Sequence, residues 1–469
     1  MTRALGLDLG TTRIKAGVLG SGGRLERVLS APVPPLSGED PIRESDPLRY
    51  LEAAERLLAD AMGSLPRGIP LGIAFQRSTF LLWERDSGAP LTSMISWLDR
   101  RAADWCARHV ERQDEVIETT GLRLSAHYAG PKLAVVLSEH PDLGAGLASG
   151  RVAFGNLDRF ALRCLGGPGA EATDLSMAAR TLLVDLAREG WSETMLALFG
   201  VPPACLPEIR PTLGRSAPLR CGAVLTAAVA DQAASVLAAL RREPGAVLVN
   251  LGTGGFVLRI AGAKELAPAG YLRAPVLASP DRETVHALEG TINGVAAAVD
   301  RLPGSPTPLP EVDPTPEALC IPDAAGVGSP HWLPSFPQTF HSAARSLVPH
   351  EARRVVLEGI VFRVREILED LCGGIPGGRI LLAGGLAREP FLTRALASCL
   401  GRPVELAEQG EATLLGAAAL AAGIEPAPWH TTEVAPAARG LYLAEKYARW
   451  RAWVRNVTER AGASLIPPA

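Results

Sequence analysis

Two stretches of this chain follow one plan. ALGLDLGTTRIKAGVL, residues 4–19, and AVLVNLGTGGFVLRI, residues 246–260, each run an apolar strand into Gly-Thr and turn back. In the first, Leu5, Leu7 and Leu9 share one face while Gly6 and Asp8 take the other, which is the two-residue period of a strand. Gly10-Thr11-Thr12 makes the turn, and Ile14, Ala16 and Val18 share a face on the way back. One such hairpin in each half constrains the fold more than any other feature, and predicts two α/β halves. The length of 469 residues agrees, since single cores stop growing well below it.

The segments between the hairpins fit that division. Residues 31–47 are a loop by their prolines and polar residues. A helix follows, capped by Ser45 or Asp46, with Pro47 in its first turn and Gly63 as its stop. Its apolar stripe is Leu48, Leu51, Ala54, Leu57, Leu58 and Ala61. Residues 213–222 read as a connection, so the expected domains are 1–222 and 223–469. Beyond it, Ala230-Asp231-Gln232 opens a helix of small residues. The ten prolines of residues 302–337 predict an irregular segment ordered by packing. Val355, Ile360, Val361, Val364, Ile367, Leu368 and Leu371 give helical spacing over 351–371. Next come a strand at Ile380–Ala383, a turn at Gly384-Gly385 and a helix, then a strand at Pro403–Leu406 and a helix at Ala412–Ala422. That order predicts a parallel α/β layer. The segment 441–457 is an amphipathic helix whose Tyr447, Trp450 and Trp453 serve as docking contacts.

Composition excludes several classes of function. A net charge of −3 with scattered arginines argues against nucleic acid. No apolar run reaches the ~18 residues of a membrane span, and Asp8 interrupts what would be the apolar core of a secretion signal. The seven cysteines form no Cys-x-x-Cys pair, so reduced thiols in a cytoplasmic protein are expected rather than zinc or disulfides.

The turns themselves carry chemistry. A glycine-rich turn lets several backbone N–H groups face one anion, and threonine hydroxyls add donors. Asp8 would meet phosphate only through a magnesium ion or its water shell, and Lys15 adds a cation. Asp8, Gly10, Thr11, Thr12 and Lys15 thus form a candidate nucleotide-phosphate site, although such a hairpin alone is equally an ordinary turn. The echo at Gly252-Thr253 favours phosphate.

Several ordered motifs resemble the FGGY family of carbohydrate kinases. They are GLDLGTTRIKAGV, GIAFQRSTFLLW, ISWLDRRA, AHYAGPKLAVVL, VADQAAS, LGTGGF, LEGIVFRVREIL, LLAGGLARE and EATLLGAAALAAG, and they run from Leu5 to Gly423. The resemblance implies two ribonuclease-H-like domains of the actin-like ATPase type, each a mixed sheet flanked by helices, with the active site in the cleft between them. It implies ATP and Mg2+, with Asp8 toward the metal, Thr253 toward the phosphates and Gly384 and Gly385 beside the adenosine. Asp231 would be the catalytic base toward a sugar or polyol hydroxyl. Its ordinary alternative is a helix N-cap. Gln76, Arg77, Ser78, Trp97, His127 and Gln232 would join Asp231 around the substrate. For Arg77 a buried ion pair is the alternative, for Trp97 a place in the core, and for His127 a structural role. Asp99, Arg100 and Arg101 would begin a helix and make salt bridges.

The chain departs from the family at named positions. Arg13 stands where a small Ser or Thr is usual, Ser78 and His127 stand where glycerol kinases carry Glu and Tyr, and residues 326–347 lack the basic, glycine-rich run. The expectation is a cytoplasmic carbohydrate kinase acting on a glycerol-like polyol, a ketose or a sugar acid, with no membrane partner and a homodimer as one assembly option. The competing readings are an actin-like or chaperone-like ATPase with a protein partner, and an inactive sugar sensor.

Overall fold

Alternating apolar residues make the first hairpin: β1 (Ala4–Leu9) and β2 (Arg13–Leu19) pair antiparallel from Ala4↔Leu19 to Leu9↔Ile14. The computed structural model describes residues 4–464, apart from 64, 242, 263, 304–307 and 409. By contacts the chain forms two units. One comprises Met1–Arg241, Ala274–His286 and Glu411–Ala427; the other comprises Arg242–Arg273, Ala287–Gly410 and Pro428–Ala469.

In the first unit β3 (Leu25–Pro32) extends the hairpin. Helix α1 (Pro47–Met62) starts where Asp46 accepts the N–H groups of Leu48 and Arg49, and it ends at Gly63, whose φ is 40°. Its stripe is buried as expected except Leu48, which is exposed, while Tyr50 is buried instead. Strand β4 (Pro70–Phe75) and helix α2 (Ala129–Glu139) come next. Residues 213–222 are not a plain connection: Leu213–Pro218 is an edge strand, β5, paired antiparallel with β6 (Val224–Ala230). An edge strand needs only alternate half-burial, so its small and polar residues hid it. Helix α3 (Asp231–Leu240) leaves β6 directly. The sheet order is β5-β6-β4-β1-β2-β3, with β6, β4 and β1 parallel. Strand β6 and helix α3 lie beyond residue 222 yet group with this unit, because β6 pairs along β4.

The helix Ala412–Ala422 also belongs here, and its composition reflects how closely it packs. A Cβ on Gly72 would fall 1.9 Å from the Ala417 carbonyl oxygen, and one on Gly416 would fall 2.1 Å from the Ala234 carbonyl oxygen. Only glycine and alanine allow backbones this near.

A second sheet repeats the plan. Strands β7 (Val247–Leu251), β8 (Gly255–Ile260), β9 (Leu272–Ser279), β10 (Arg282–Ile292), β11 (Ile380–Ala383), β12 (Val404–Ala407) and β13 (Thr431–Val434) form a sheet in the order β9-β10-β8-β7-β11-β12-β13. β7 and β8 make the second hairpin, and β7 and β11 run parallel. Helices α4 (Pro349–Cys372) and α5 (Pro390–Leu400) cover a core of Val249, Ile360, Val364 and Leu396. The last helix, α6 (Tyr442–Ser464), docks by its aromatics: Trp450 is fully buried and its indole N–H donates to the Cys320 carbonyl at 2.7 Å. The proline-rich segment is irregular where described, apart from the short strand Cys320–Ile321, which pairs with Thr339–Phe340. All seven cysteines are free thiols. No helix among the described residues is long and apolar enough to cross a membrane.

Candidate active site

Strand register assembles the site. Leu9 pairs with Phe75, and Phe75 pairs with Ala230, so three parallel strands end side by side. The segments just beyond those ends are therefore brought together: Gly10–Thr12, Gln76–Ser78 and Asp231–Gln232. The carboxyl ends of parallel strands are where α/β sheets bind ligands.

Asp231 is the first residue of α3; the flanking residue is Ala230, so Asp231 is not the cap. Its Oδ1 accepts the Gln232 N–H at 2.7 Å and lies 3.6 Å from Arg77 Nε. Burial pushes its carboxyl above the usual range, opposed by Arg77, the Gln232 N–H and Arg180. The side chain keeps 30% exposure, enough to meet a ligand. Beside it the Gln232 Oε1 is buried with no hydrogen-bond partner in the protein, an acceptor that suits a ligand hydroxyl. Behind it, the Ala230 N–H donates to Ser176 Oγ at 2.9 Å, and that hydroxyl donates to Asp174.

Trp97 donates its indole N–H to Thr11 Oγ1 at 2.8 Å, and its ring stands 5.3 Å from that of His127. Burial, with Lys132, Arg77 and Arg180 nearby, holds His127 well below its ordinary value, so the imidazole is neutral. Ser78 is fully buried at φ 60°, and its hydroxyl donates to the Arg180 carbonyl at 3.1 Å. Gln76 is used up by the fold. Its Oε1 accepts from Thr11 and Thr79, and its Nε2 donates to Tyr50 and to the Gly10 carbonyl, which fills all four positions of the amide. Tyr50 also donates to the Gly10 carbonyl at 2.8 Å. Gln76, Tyr50 and Thr11 thus brace the turn from behind, and Thr12 stays exposed.

Asp8 is 9% exposed at the end of β1. Burial, Asp231 and Glu411 push its carboxyl up to about 7, against Lys15. Lys15 pairs with Glu411. Arg13 turns away from the site, donating to Ser30 Oγ on β3 at 2.6 Å. Asp99, Arg100 and Arg101 lie in the loop before the helix rather than at its start; the helix begins at Ala103. Asp99 is fully buried and accepts from Arg101 and the Arg43 N–H, so it shapes the loop carrying Trp97.

In the second unit, Asn250 pairs with Ala383, so the Gly252-Thr253 turn and Gly384-Gly385 lie at the same sheet end. Gly384 has φ 94°, and a Cβ there would fall 2.3 Å from the Leu251 carbonyl oxygen, so only glycine fits. Thr253 is exposed.

The N-terminal domain of the FGGY carbohydrate kinases matches residues 3–224, and the C-terminal domain matches residues 247–423. The chain belongs to the FGGY family of carbohydrate kinases.

This FGGY kinase is 32% identical to a glycerol kinase of Methylobacterium nodulans over 488 residues, covering 96% of this chain and 97% of that one. It is 32% identical to a glycerol kinase of Thermus brockianus over 491 residues, covering 98% and 99%. Its structure matches Plasmodium falciparum glycerol kinase with ADP at a TM-score of 0.85, with 19% identity and coverage of 100% and 99%. Xylulose kinase from Rhodospirillum rubrum matches at 0.84, with 21% identity and coverage of 98% and 100%. At these identities the structures establish the shared fold, two mixed α/β domains of the actin-like ATPase type. The FGGY kinase is accordingly an enzyme that moves a phosphoryl group from ATP to an alcohol. The reading as a chaperone-like ATPase is not favoured.

Sequence reasoning passed over four residues here: Tyr50, Ser176, Arg180 and Lys132. Lys132 alone carried a signal, a single charge in the apolar run AGPKLAVV.

Proposed function

We propose that this kinase phosphorylates one hydroxyl of a small polyol, with glycerol or a close analogue as the acceptor and Asp231 as the general base. The observation that carries the reading is the group at the start of α3. A partly exposed carboxylate, the Arg77 guanidinium 3.6 Å away and the orphan Gln232 Oε1 stand together. Asp231 takes the proton of the attacking hydroxyl, Gln232 accepts from a second hydroxyl, and Arg77 donates to an acceptor oxygen. Phosphoryl transfer asks the protein mainly for position and charge. The Gly10–Thr12 turn and Lys15 hold phosphate oxygens, as do Gly252 and Thr253; Gly384 and Gly385 admit the adenosine.

The residues also suit Mg2+. Asp8 offers a buried carboxylate beside the turn, and no group of three or more metal-ligating side chains exists among the described residues. Magnesium keeps several waters and takes one or two carboxylates plus phosphate oxygens, which fits this sparse donor set. When bound, the ion neutralises phosphate charge. The chain's own part is the carboxylate at Asp8 and the cation at Lys15.

Glycerol as the acceptor is supported by the full-length relatives named as glycerol kinases. Ser78 and the neutral His127 supply no carboxylate or phenol, so a somewhat larger polyol or a ketose is the second reading. The test is ADP release with Mg2+-ATP and a panel of glycerol, xylitol, xylulose and gluconate. Acceptor-dependent release led by glycerol or xylitol supports the reading, and release independent of any acceptor contradicts it. A cytoplasmic enzyme, with a homodimer as one assembly option, fits the same picture.

A further inference from the structure

Lys132 is the least expected group near the acceptor residues. It is the fourth residue of α2 and is 0% exposed. Its Nζ donates to the Ser96 carbonyl at 2.7 Å and to the Ser78 carbonyl at 3.4 Å. The ammonium also stands 5.9 Å from the Phe80 ring centroid. A buried ammonium is costly unless its surroundings compensate for the lost water.

The two carbonyls explain what it does. Ser78 directly follows Arg77, and Ser96 directly precedes Trp97. Ser78 sits at φ 60°, a left-handed conformation that is strained for a non-glycine residue and persists only where neighbours enforce it. The enforcement is visible on both sides of the residue: its hydroxyl is tied to the Arg180 carbonyl and its own carbonyl to Lys132. The Ser96 carbonyl likewise takes the Asp99 N–H together with Lys132. One side chain therefore clamps the loop after β4 to the loop that carries Trp97.

We propose that Lys132 is a positioning residue for the acceptor alcohol, its Nζ bridging the Ser78 and Ser96 carbonyls so that Arg77 and Trp97 are held at fixed distances from Asp231. The inference rests on the acceptor reading proposed above. It does not require the charge itself. Burial holds the ammonium down to about 7, with Asp99 opposing and Arg101 reinforcing that shift. An unprotonated amine still has two N–H groups for two carbonyls.

The test compares Lys132→Met with Lys132→Gln. Methionine fills the volume with no donor; glutamine keeps two N–H groups on a slightly shorter arm. Both are assayed with the best acceptor of the panel, together with ATP KM and thermal midpoint. Misplacing binding groups by about 1 Å costs on the order of 10²-fold. Lys132→Met is expected to raise acceptor KM by about 30-fold or more, with ATP KM within about threefold, and Lys132→Gln to recover a good part of the loss. Should Lys132→Met fail to fold, Lys132→Gln decides by the same split between acceptor and ATP. Acceptor and ATP KM rising together, or a folded variant with unchanged acceptor KM, would overturn the positioning role alone. A wild-type chain that phosphorylates no member of the panel would overturn the acceptor reading and this inference with it.

Discussion

Arg77 Nε stands 3.6 Å from Asp231 Oδ1, one side chain 11% exposed and the other 30%. On the proposed reading of Asp231 as general base, this pair sets its protonation. Burial raises the Asp231 carboxyl, and Arg77 is the largest influence pulling it back down. A general base works ionised, so activity falls as pH drops through its pKa. Removing the guanidinium raises that pKa. Arg77→Met is therefore expected to move the acid limb of kcat/KM to higher pH and to weaken the acceptor by about 10–100-fold, since it also removes a donor. A pH profile from 5 to 9 checks both; an acid limb that stays in place removes Arg77 from the control of Asp231.

Ser176 holds Ala230, the residue before Asp231. Its Oγ accepts the Ala230 N–H and donates to Asp174, which is itself fully enclosed. Ser176→Ala leaves a buried N–H unpaired, which costs about 1–3 kcal/mol. The expected result is a lower denaturation midpoint together with a kcat about tenfold down, because α3 loses a fixed start. Urea unfolding and initial rates on the same preparation measure the two effects.

Two glycine substitutions should act with opposite sign. Gly72→Ala drives a Cβ to 1.9 Å from the Ala417 carbonyl, so the Ala-rich helix must move off the sheet. A loss of about 3 kcal/mol or more is expected. Gly144, in the helix Pro141–Ala148, has open space at the same position. Gly144→Ala should stabilise by about 0.5–1 kcal/mol, the ordinary helix gain. Chemical denaturation of the pair reads the difference.

Much of this architecture is legible in residues near one another in sequence. The Leu5-Leu7-Leu9 alternation, the Asp46-Pro47 start of α1 and its Gly63 stop are local matters, and each stands as the residues imply. Asp231 at the head of α3 is visible for the same reason. The features that escape a sequence reading depend on partners far along the chain. Nothing in GIAFQRST shows that Gln76 spends its whole amide on Thr11, Thr79, Tyr50 and Gly10. Nothing in ISWLDRRA shows that Asp99 takes the Arg43 N–H and thereby holds an irregular loop in place of a helix start. The one charge in AGPKLAVV does not reveal that its partners are carbonyls on two other loops. The helix Ala412–Ala422 belongs with β1 and β4 because glycines in those strands let it approach.

The most direct test of the account is Asp231→Asn in single-turnover ATP cleavage with the best acceptor, alongside calorimetric binding of that acceptor. Asparagine keeps the shape and removes the proton-accepting charge. The account predicts a rate about 10²–10⁴-fold lower with acceptor affinity within about threefold. A rate within about tenfold of wild type would contradict it, because the alcohol would then be losing its proton elsewhere.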